Sequence, residues 1–409
     1  MRAAWTAFAI ASAFFLFEFV TRIVPSLSTA AIEDFYHLSA PGFGTLSSLF
    51  FWVYAPMQIV VGLVLDRYGA RRCVLLGSFG CALGVLLFAA TDVVWIGGLG
   101  RAVTGFGAAF AFVAALWMVN HWFPPQRFAL LSGAINAVGM LGAAIGAVAL
   151  SKAIDLAGWR VVFGATGLVG LALCAVAYLY LREPPSPAAT ATSDPGDHIR
   201  NSLTEVLGSG RIWAIALVGM LFYMPVNVYA GLWGATELMG DHGLSQVAAE
   251  ADVSMIFCGM AVGSIAGGWV SDLLGHRKYL VFGGAVLTGL AYAAVLYLPG
   301  SAWGDGALLF VAGVFGGLQM LTFTMAKEGQ SNAVVGTVVA FVNMIGIGGA
   351  LIFQPLVSYV ADAAGGNFKL ALTAVPLCAA AAAVIILFVP EYRHPDHRLP
   401  HRRQSSRSG

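Results

Sequence analysis

Apolar runs long enough to cross a lipid bilayer recur along this chain from end to end, and they restrict its fold more than any other feature. A helix needs about 20 predominantly apolar residues to span the hydrocarbon core. The 409 residues are 59% hydrophobic and only 10% charged, which excludes a soluble enzyme. The sequence therefore predicts an all-α integral membrane protein with no enzymatic activity.

Twelve spanning helices can be placed along the sequence. The first run contains Glu18 and Arg22, which argues against a cleaved signal peptide, because the apolar core of such a peptide is uncharged. The predicted helices lie at about residues 5–29, 42–65, 73–90, 93–120, 128–151, from 158 onward, 212–237, 247–273, 279–298, 306–326, 334–361 and 368–389. An acidic loop with Glu33 and Asp34 is expected after the first helix.

A stretch rich in proline, alanine and threonine separates the sixth helix from the seventh and is typical of a linker. The predicted organisation is a first half at 1–181, a cytoplasmic linker at 182–211, a second half at 212–389 and a cytoplasmic tail at 390–409. Lys and Arg concentrate in the loops on the linker's side. By the positive-inside rule both termini are predicted to be cytoplasmic, in the inner membrane of a bacterium.

One charged stretch occurs twice. GLVLDRYGARR begins at Gly62, and GWVSDLLGHRK begins at Gly268, about 206 positions later. Each has glycine, an aspartate four residues on, a glycine three further, and then two basic residues. We call them the first and second charged loops, and we predict that their residues form a conformational gate: Gly62, Asp66, Arg67, Gly69, Arg71 and Arg72 in the first, and Gly268, Asp272, Gly275, Arg277 and Lys278 in the second.

Each position in the charged loops has a physical reason. The leading glycine lets a neighbouring helix approach closely. The second glycine falls where the chain reverses, because glycine reaches positive φ without steric cost. The aspartate can accept hydrogen bonds from the basic pair or from a nearby helix N-terminus. Each loop is therefore predicted to be a short cytoplasmic turn between two spanning helices.

The first charged loop resembles the G-x-L-x-D-R-x-G-x-R-R signature of the major facilitator superfamily, and the second resembles its counterpart in the other half, with Leu273 where the first has Arg67. The segment from Arg101 to Gly107 resembles the R-x-x-x-G-x-G pattern of helix 4. The resemblance covers nearly the whole chain. It implies twelve helices in two pseudo-symmetric six-helix halves, with a substrate site between them and helices 1 and 4 lining it.

Three charged residues inside helices are the first candidates for substrate binding or coupling. Glu18, Arg22 and Arg101 each cost about 2.5–3.5 kcal/mol to insert, so they are expected to face a cavity or a partner. One hypothesis is that Arg22 or Arg101 binds a substrate carboxylate, while Glu18 binds an amine or exchanges the coupling proton. The alternative is that Glu18 and Arg22 neutralise each other along one helix face and Arg101 holds the backbone of helix 4.

Uncharged polar residues are predicted to complete the cavity, although each alone could instead form an interhelical hydrogen bond. They are Tyr54 and Gln58 in helix 2, Tyr223 and Asn227 around Pro225 in helix 7, Gln319 in helix 10 and Asn343 in helix 11. Polar groups beside a proline-broken helix are typical of a transporter cavity wall. Lys327 and Glu328, at the end of helix 10, are expected to form a surface pair of little energetic weight.

The predicted function is secondary-active transport, by alternating access, of a carboxylated or zwitterionic solute such as an amino acid, short peptide or organic acid. The segments 17–22 and 54–58 also look similar to a bacterial branch related to lysosomal dipeptide carriers. A multidrug/proton efflux antiporter is the alternative, although helix 5 lacks the proline of the antiporter signature near Asn136. A non-transporting membrane sensor is a more distant alternative function.

The expected partners are the substrate, lipid and protons, with no nucleic acid, and we expect a monomer. No cofactor is predicted, since no phosphate-binding glycine motif is present. The five cysteines occur singly, which suggests neither a disulfide framework nor a zinc site. Three histidines in the tail lie among arginines without a scaffold, so no metal site is predicted.

Overall fold

The computed structural model describes residues 2–38, 40–184, 202–300 and 304–391. Within these ranges, twelve helices are long and apolar enough to cross a membrane. We number them α1 Arg2–Arg22, α2 Gly42–Tyr68, α3 Ala70–Ala90, α4 Val94–Trp122, α5 Pro125–Ala157, α6 Trp159–Tyr180, α7 Gly210–Asp241, α8 Gln246–Leu274, α9 Lys278–Tyr297, α10 Gly304–Lys327, α11 Val335–Ala363 and α12 Phe368–Phe388. The all-α membrane fold predicted from the apolar runs is thereby confirmed.

The segment after α1 differs from the sequence expectation. The first α-helix ends at Ile23 and continues as a 3₁₀ helix, Val24–Ser28, which contains Pro25. Proline lacks a backbone N–H and disrupts the α-helical ladder. The expected acidic loop is instead a short helix, Thr29–Tyr36, because Ile32 and Tyr36 are buried on one of its faces. The prediction of a loop at Glu33 and Asp34 is therefore wrong.

The helices form two six-helix halves. In the first half α3 packs against α4 and α6, and in the second half α9 packs against α10 and α12, the corresponding positions. The halves meet where α5 packs on α8 and α2 packs on α11. At the first contact Ser264 Oγ donates to Gly133 O at 3.0 Å. Of the predicted linker and tail, residues 185–201 and 392–409 lie outside the described part of the chain.

Two helices of the second half, α7 and α10, are not α-helical along their whole length. Helix α7 is α-helical over Gly210–Phe222, π-helical over Pro225–Trp233 and α-helical again over Gly234–Asp241. Helix α10 contains a 3₁₀ turn at Gly317–Met320. The break expected at Pro225 is confirmed, and both irregular segments lie inside the bundle, where backbone groups can line a cavity.

The charged loops reverse the chain as expected. Gly69, between α2 and α3, has φ 78°, and Gly275, between α8 and α9, has φ 68°. L-residues rarely adopt this left-handed region, which explains the glycine at the same place in both loops. We call the end of the bundle that carries them the charged-loop end.

Candidate functional site

A small, partly open cavity of about 40 Å³ lies between the two halves. Its apolar walls come mainly from four phenylalanines: Phe15, Phe19, Phe112 and Phe323. Its polar groups come from helices of both halves: Arg22, Tyr54, Asn136, Tyr223, Gln319 and Asn343. Five of the predicted substrate residues therefore line one cavity. Asn136 was not predicted, although a lone amide in an apolar helix was a signal for it.

Arg22 and Glu18 form an ion pair along α1. Arg22 Nε donates to Glu18 Oε1 at 2.9 Å, and a guanidinium NH₂ group of Arg22 donates to the same oxygen. The Glu18 side chain is 1% exposed and the Arg22 side chain 19% exposed. The Glu18 side chain is thus enclosed, whereas the Arg22 side chain is partly exposed and lines the cavity.

Aromatic rings surround the Arg22 guanidinium. Its central carbon lies 4.8 Å from the ring centroid of Phe19, 5.2 Å from that of Tyr54 and 5.9 Å from that of Phe50. Cations are attracted to aromatic ring faces at these separations. The rings therefore stabilise the positive charge of Arg22 beside the cavity.

A hydrogen-bonded amide seam joins α2 to α11 beside the cavity. Asn343 Nδ2 donates to Gln58 Oε1 at 3.0 Å and lies 3.5 Å from the hydroxyl of Tyr54. Gln58 Nε2 in turn donates to Ala109 O at 3.4 Å. Gln58 is fully buried behind Tyr54 and Asn343, so it supports the cavity wall without lining it.

Asn227 and Arg101 also lie away from the cavity. Asn227 Nδ2 donates to Gly346 O at 3.1 Å, which ties the π-helical segment of α7 to α11. Arg101 donates to Thr21 O at 3.1 Å, and its guanidinium lies 5.0 Å from the centroid of Phe50. It is 3% exposed and lines a separate small space together with Thr104. The resemblance had implied that Arg101 lies at the cavity with Arg22, but in the structure Arg101 does not line that cavity.

At the charged-loop end, Asp66 caps a helix of the opposite half. Its carboxylate accepts hydrogen bonds from the backbone N–H of Gly336 at 2.7 Å and from that of Thr337 at 2.8 Å. The Thr337 hydroxyl, at 2.8 Å, and the Trp117 indole, at 3.2 Å, donate as well. The carboxylate thereby satisfies the otherwise unpaired first-turn donors of α11. An alanine Cβ at Gly62 would lie 2.7 Å from Thr337 Cα, so glycine permits this approach.

Asp272, in the second half, makes the corresponding contact with a helix of the first half. Its Oδ2 accepts from the backbone N–H of Leu130 in α5, at 3.0 Å, and its Oδ1 lies 3.5 Å from an Arg277 guanidinium nitrogen. Gly268 packs directly against the backbone of Ala129 and Leu130. Of the two partners expected for the aspartates, the helix N-terminus of the opposite half is the one that both use.

Lys327 and Glu328 do not form the surface pair expected from the sequence. Glu328 binds Arg277 at 2.5 Å, and Lys327 Nζ donates to Asn120 Oδ1, in the opposite half, at 2.8 Å. Burial raises the pKa of the Glu328 carboxyl, and the positive charges of Arg277, Arg211 and Lys327 oppose that increase. The expected pair between Lys327 and Glu328 does not form, because Arg277 lies close to Glu328 in space although it is 51 positions away along the chain.

The basic residues of the charged loops hold the ends of neighbouring helices. Arg71 donates from its side chain to Tyr178 O at 2.8 Å, and Lys278 donates to Leu387 O at 2.5 Å. The guanidinium of Arg67 lies 5.4 Å from the ring of Tyr68. Arg72 is exposed.

Two glutamates that the sequence did not single out bind the first turns after the charged loops. Glu183 accepts from Arg71 N at 2.7 Å, and Glu391 accepts from Arg277 N at 2.9 Å. Burial raises the pKa of Glu183, and the N–H groups of Arg71 and Ala70 oppose the change. Each glutamate follows the last helix of its half, and this repeated placement was the available signal.

The hydrogen bonds found between the halves, within the described ranges, lie at the charged-loop end, at the amide seam or at the α5–α8 contact. Besides the aspartate caps, Asn120 Nδ2 donates to Asn332 Oδ1 at 3.1 Å. At the opposite end, the described residues provide no hydrogen bond between the halves. The structure is therefore closed at the charged-loop end.

Comparisons with known proteins agree with this architecture. The chain is 25% identical over 396 residues to the hexuronate transporter of Bacillus subtilis, covering 91% of each protein. It is 27% identical over 342 residues to the membrane sensor protein UhpC of Salmonella typhimurium, covering 76% of this chain and 75% of UhpC. The crystal structure of the E. coli fucose:proton symporter FucP superimposes with a TM-score of 0.75 at 16% identity, covering 94% of this chain and 98% of FucP.

A family model described as Major Facilitator Superfamily matches residues 6–352, which is most of the chain and includes both charged loops. Proteins of this family are transporters and not enzymes. Together with the twelve spanning helices, the match identifies a multi-pass membrane protein. This chain belongs to the major facilitator superfamily.

Proposed function

We propose that this protein is a secondary-active transporter of small sugar acids. The observation that carries the proposal is the partly exposed side chain of Arg22, which lines a cavity between the two halves. The relative named as a hexuronate transporter supports the same class of solute. The inner-membrane location, the cytoplasmic termini, the boundaries of the halves and the monomeric state remain predictions from the sequence.

The polar groups of the cavity suit a carboxylated and polyhydroxylated ligand. A guanidinium can donate two parallel hydrogen bonds to a carboxylate. Asn136, Gln319 and Tyr223, which come from both halves, can donate to and accept from hydroxyl groups. A sugar acid bound to Arg22 would therefore touch both halves at once, as alternating access requires.

An amino acid or peptide is a weaker candidate. Glu18 was expected to bind a substrate amine, but its side chain is enclosed and bound to Arg22. Among the described residues that line the cavity, none is a carboxylate. The finer resemblance to dipeptide carriers consequently stays a prediction.

The structure represents one conformational state of the proposed transport cycle. With the cytoplasmic orientation predicted for the charged loops, closure at that end corresponds to an outward-facing state. Rocking of the halves would break the Asp66 and Asp272 caps and open the cavity inward. We propose a proton gradient as the driving force, because the fold is shared with a fucose:proton symporter.

The proposal can be tested by thermal-shift measurements on purified protein with glucuronate, galacturonate and galactonate, and with neutral glucose and galactose as reference sugars. A ligand that binds the folded state raises its unfolding temperature. We expect the acids to stabilise the wild type and Arg22→Lys to weaken their binding by about tenfold or more, since it loses the paired geometry. Arg127→Lys, at an exposed site outside the cavity, is the matched control.

Other outcomes would identify the alternatives. Stabilisation by lipophilic cations, unaffected by Arg22→Lys, would contradict the proposal and indicate a drug efflux antiporter. Binding of sugar acids without uptake into proteoliposomes would indicate a membrane sensor, the class of protein for which the relative UhpC is named. Uptake that is saturable, inhibited by sugar acids and reduced in Arg22→Lys would support the transporter.

A further inference from the structure

A second group of buried titratable side chains lies at the opposite end of the second half from the charged loops. Glu237 is in the last turns of α7, His242 follows that helix, and Asp305 is in the first turn of α10. Their side chains are each 4% exposed or less. None of them lines the central cavity or belongs to the gate.

The imidazole of His242 lies between the two carboxylates. Its Nδ1 is 2.8 Å from Asp305 Oδ2, and its Nε2 is 3.9 Å from Glu237 Oε1. The hydroxyl of Tyr229 donates to Glu237 Oε2 at 2.8 Å. Among the described residues nothing forms a hydrogen bond with Glu237 Oε1, which faces the imidazole.

One additional proton would stabilise this group of side chains. With a neutral imidazole and two ionised carboxylates, the group would bury two negative charges, which is costly in a medium of low polarity. If Nδ1 carries the hydrogen toward Asp305, the lone pair of Nε2 also faces Glu237 Oε1. One more proton, on Nε2 or on Oε1, removes this repulsion and reduces the buried charge.

The neighbouring charged and titratable groups favour retention of that proton. Asp241 on α7 and Asp252 on α8 add negative charge nearby. From α9, the ring of Tyr292 lies 5.2 Å from that of Tyr229. The cation on α12, Lys369, lies over the ring of Tyr297. Within the described ranges, no Lys or Arg forms an ion pair with Glu237 or Asp305.

The same group is connected to the wall of the cavity through α7. Tyr229 belongs to the π-helical segment, and Gly234 packs against its ring. In that segment Asn227 donates to Gly346 O, and its own carbonyl accepts from Gln354 Nε2 at 2.6 Å. Tyr223, just before the segment, lines the cavity. A change in the Tyr229–Glu237 hydrogen bond can therefore reposition a wall of the cavity.

We propose that Glu237, His242 and Asp305 form a proton-binding site that couples proton uptake at the opposite end to movement of α7. The proposal rests on the proposed transport function. In the predicted orientation this end faces outside. The proton binds to Nε2 of His242 or to Oε1 of Glu237 and is shared between these two atoms. It is released when the second half rocks and the surroundings of the group change.

Glu237→Gln is the principal test, because a glutamine imitates the protonated acid and can still accept the bond from Tyr229. His242→Gln is a second variant, and Asp362→Asn, at an exposed carboxylate of α11 near the same end of the bundle, is the matched control. The first measurement is the unfolding temperature at pH 6 and pH 8 without substrate. If only the folded state retains the proton at pH 6–8, the wild type loses stability as pH rises, by about 2 °C or more. Glu237→Gln should lose this dependence and Asp362→Asn should keep it.

The second measurement compares glucuronate exchange with glucuronate accumulation in proteoliposomes. An imposed pH difference of one unit supports about tenfold accumulation if one proton accompanies each solute. We expect Glu237→Gln to retain exchange and to lose that accumulation. An unchanged pH dependence of stability, or unchanged proton-driven accumulation, in Glu237→Gln would overturn the proposal. Absence of exchange in the wild type would instead count against the transport function, and the stability measurement would still test the proton site.

Discussion

Arg22 has one enclosed anionic partner and a partly open face. Its bond to Glu18 keeps the cavity close to neutral when it is empty, since the two charges lie within one turn of α1. An incoming carboxylate has to share the guanidinium with Glu18. The strength of substrate binding therefore depends on the charge of a residue that the substrate does not touch.

Removing the charge of Glu18 should consequently strengthen the binding of acids. We expect Glu18→Gln to bind glucuronate about tenfold more tightly, because the competing carboxylate is gone. Transport should become slower, since the ligand is released less readily. Glu18→Asp, which retains the charge, is the control, and both variants can be compared by calorimetric titration. Equal affinities in the two variants would show that Glu18 does not compete for Arg22.

At the scale of helices, the predicted gate includes two aspartates that each bind the first turn of a helix in the other half. The two caps are unequal. Asp66 accepts from two backbone N–H groups, a hydroxyl and an indole, whereas Asp272 accepts from one backbone N–H, that of Leu130 in α5, and pairs with Arg277. The contact between α2 and α11 should therefore be the stronger one.

We expect Asp66→Ala to open the charged-loop end more than Asp272→Ala. The loss of Asp66 leaves several buried donors unpaired, at a cost of about 1–3 kcal/mol each if they stay buried. Opening can be measured with Val335→Cys in a cysteine-free background, because Val335 is buried at this end. Maleimide should label this cysteine faster in Asp66→Ala than in Asp272→Ala. The reverse order would contradict the assignment of the stronger cap.

At the scale of the whole molecule, the bundle is held shut at one end, and opening that end requires the halves to separate. Asn120 and Asn332 come from different halves and their side chains bond directly. We expect a short bis-methanethiosulfonate cross-linker, which forms a mixed disulfide with each of Asn120→Cys and Asn332→Cys and releases methanesulfinate, to abolish uptake, and a reductant to restore it. Each single cysteine variant serves as the control. Full uptake by the linked protein would show that this end does not open during transport.

The spans of the fold and the break at Pro225 could be predicted from the sequence, because a bilayer imposes a minimum apolar length and proline disrupts a helix locally. The 3₁₀ turn at Gly317–Met320 was not predicted, since it contains no proline. The contents of the site could be predicted only in part. Tyr54, Tyr223 and Asn343 were correctly placed near Arg22. Arg101 could not be placed, because whether Phe50 stands between it and the cavity depends on packing between three helices.

The long-range partners were also beyond the reach of the sequence. Glu183 lies 112 positions from Arg71 along the chain, and no local pattern relates them. The same holds for Arg277 and Glu328, whose ion pair replaced the expected bond between neighbours. Spacing within one helix predicted the Glu18–Arg22 pair correctly, since that contact is fixed by helical periodicity alone.

The reciprocal aspartate caps also have a consequence for biogenesis. Asp66 is synthesised and inserted well before α11, the helix whose first turn it binds, because 270 positions separate it from Gly336. Until α11 emerges from the ribosome, the newly made first half has an acidic group without its final partners. Correct assembly of this end is therefore a late event, and truncation before α11 should expose the nascent protein to quality-control proteolysis.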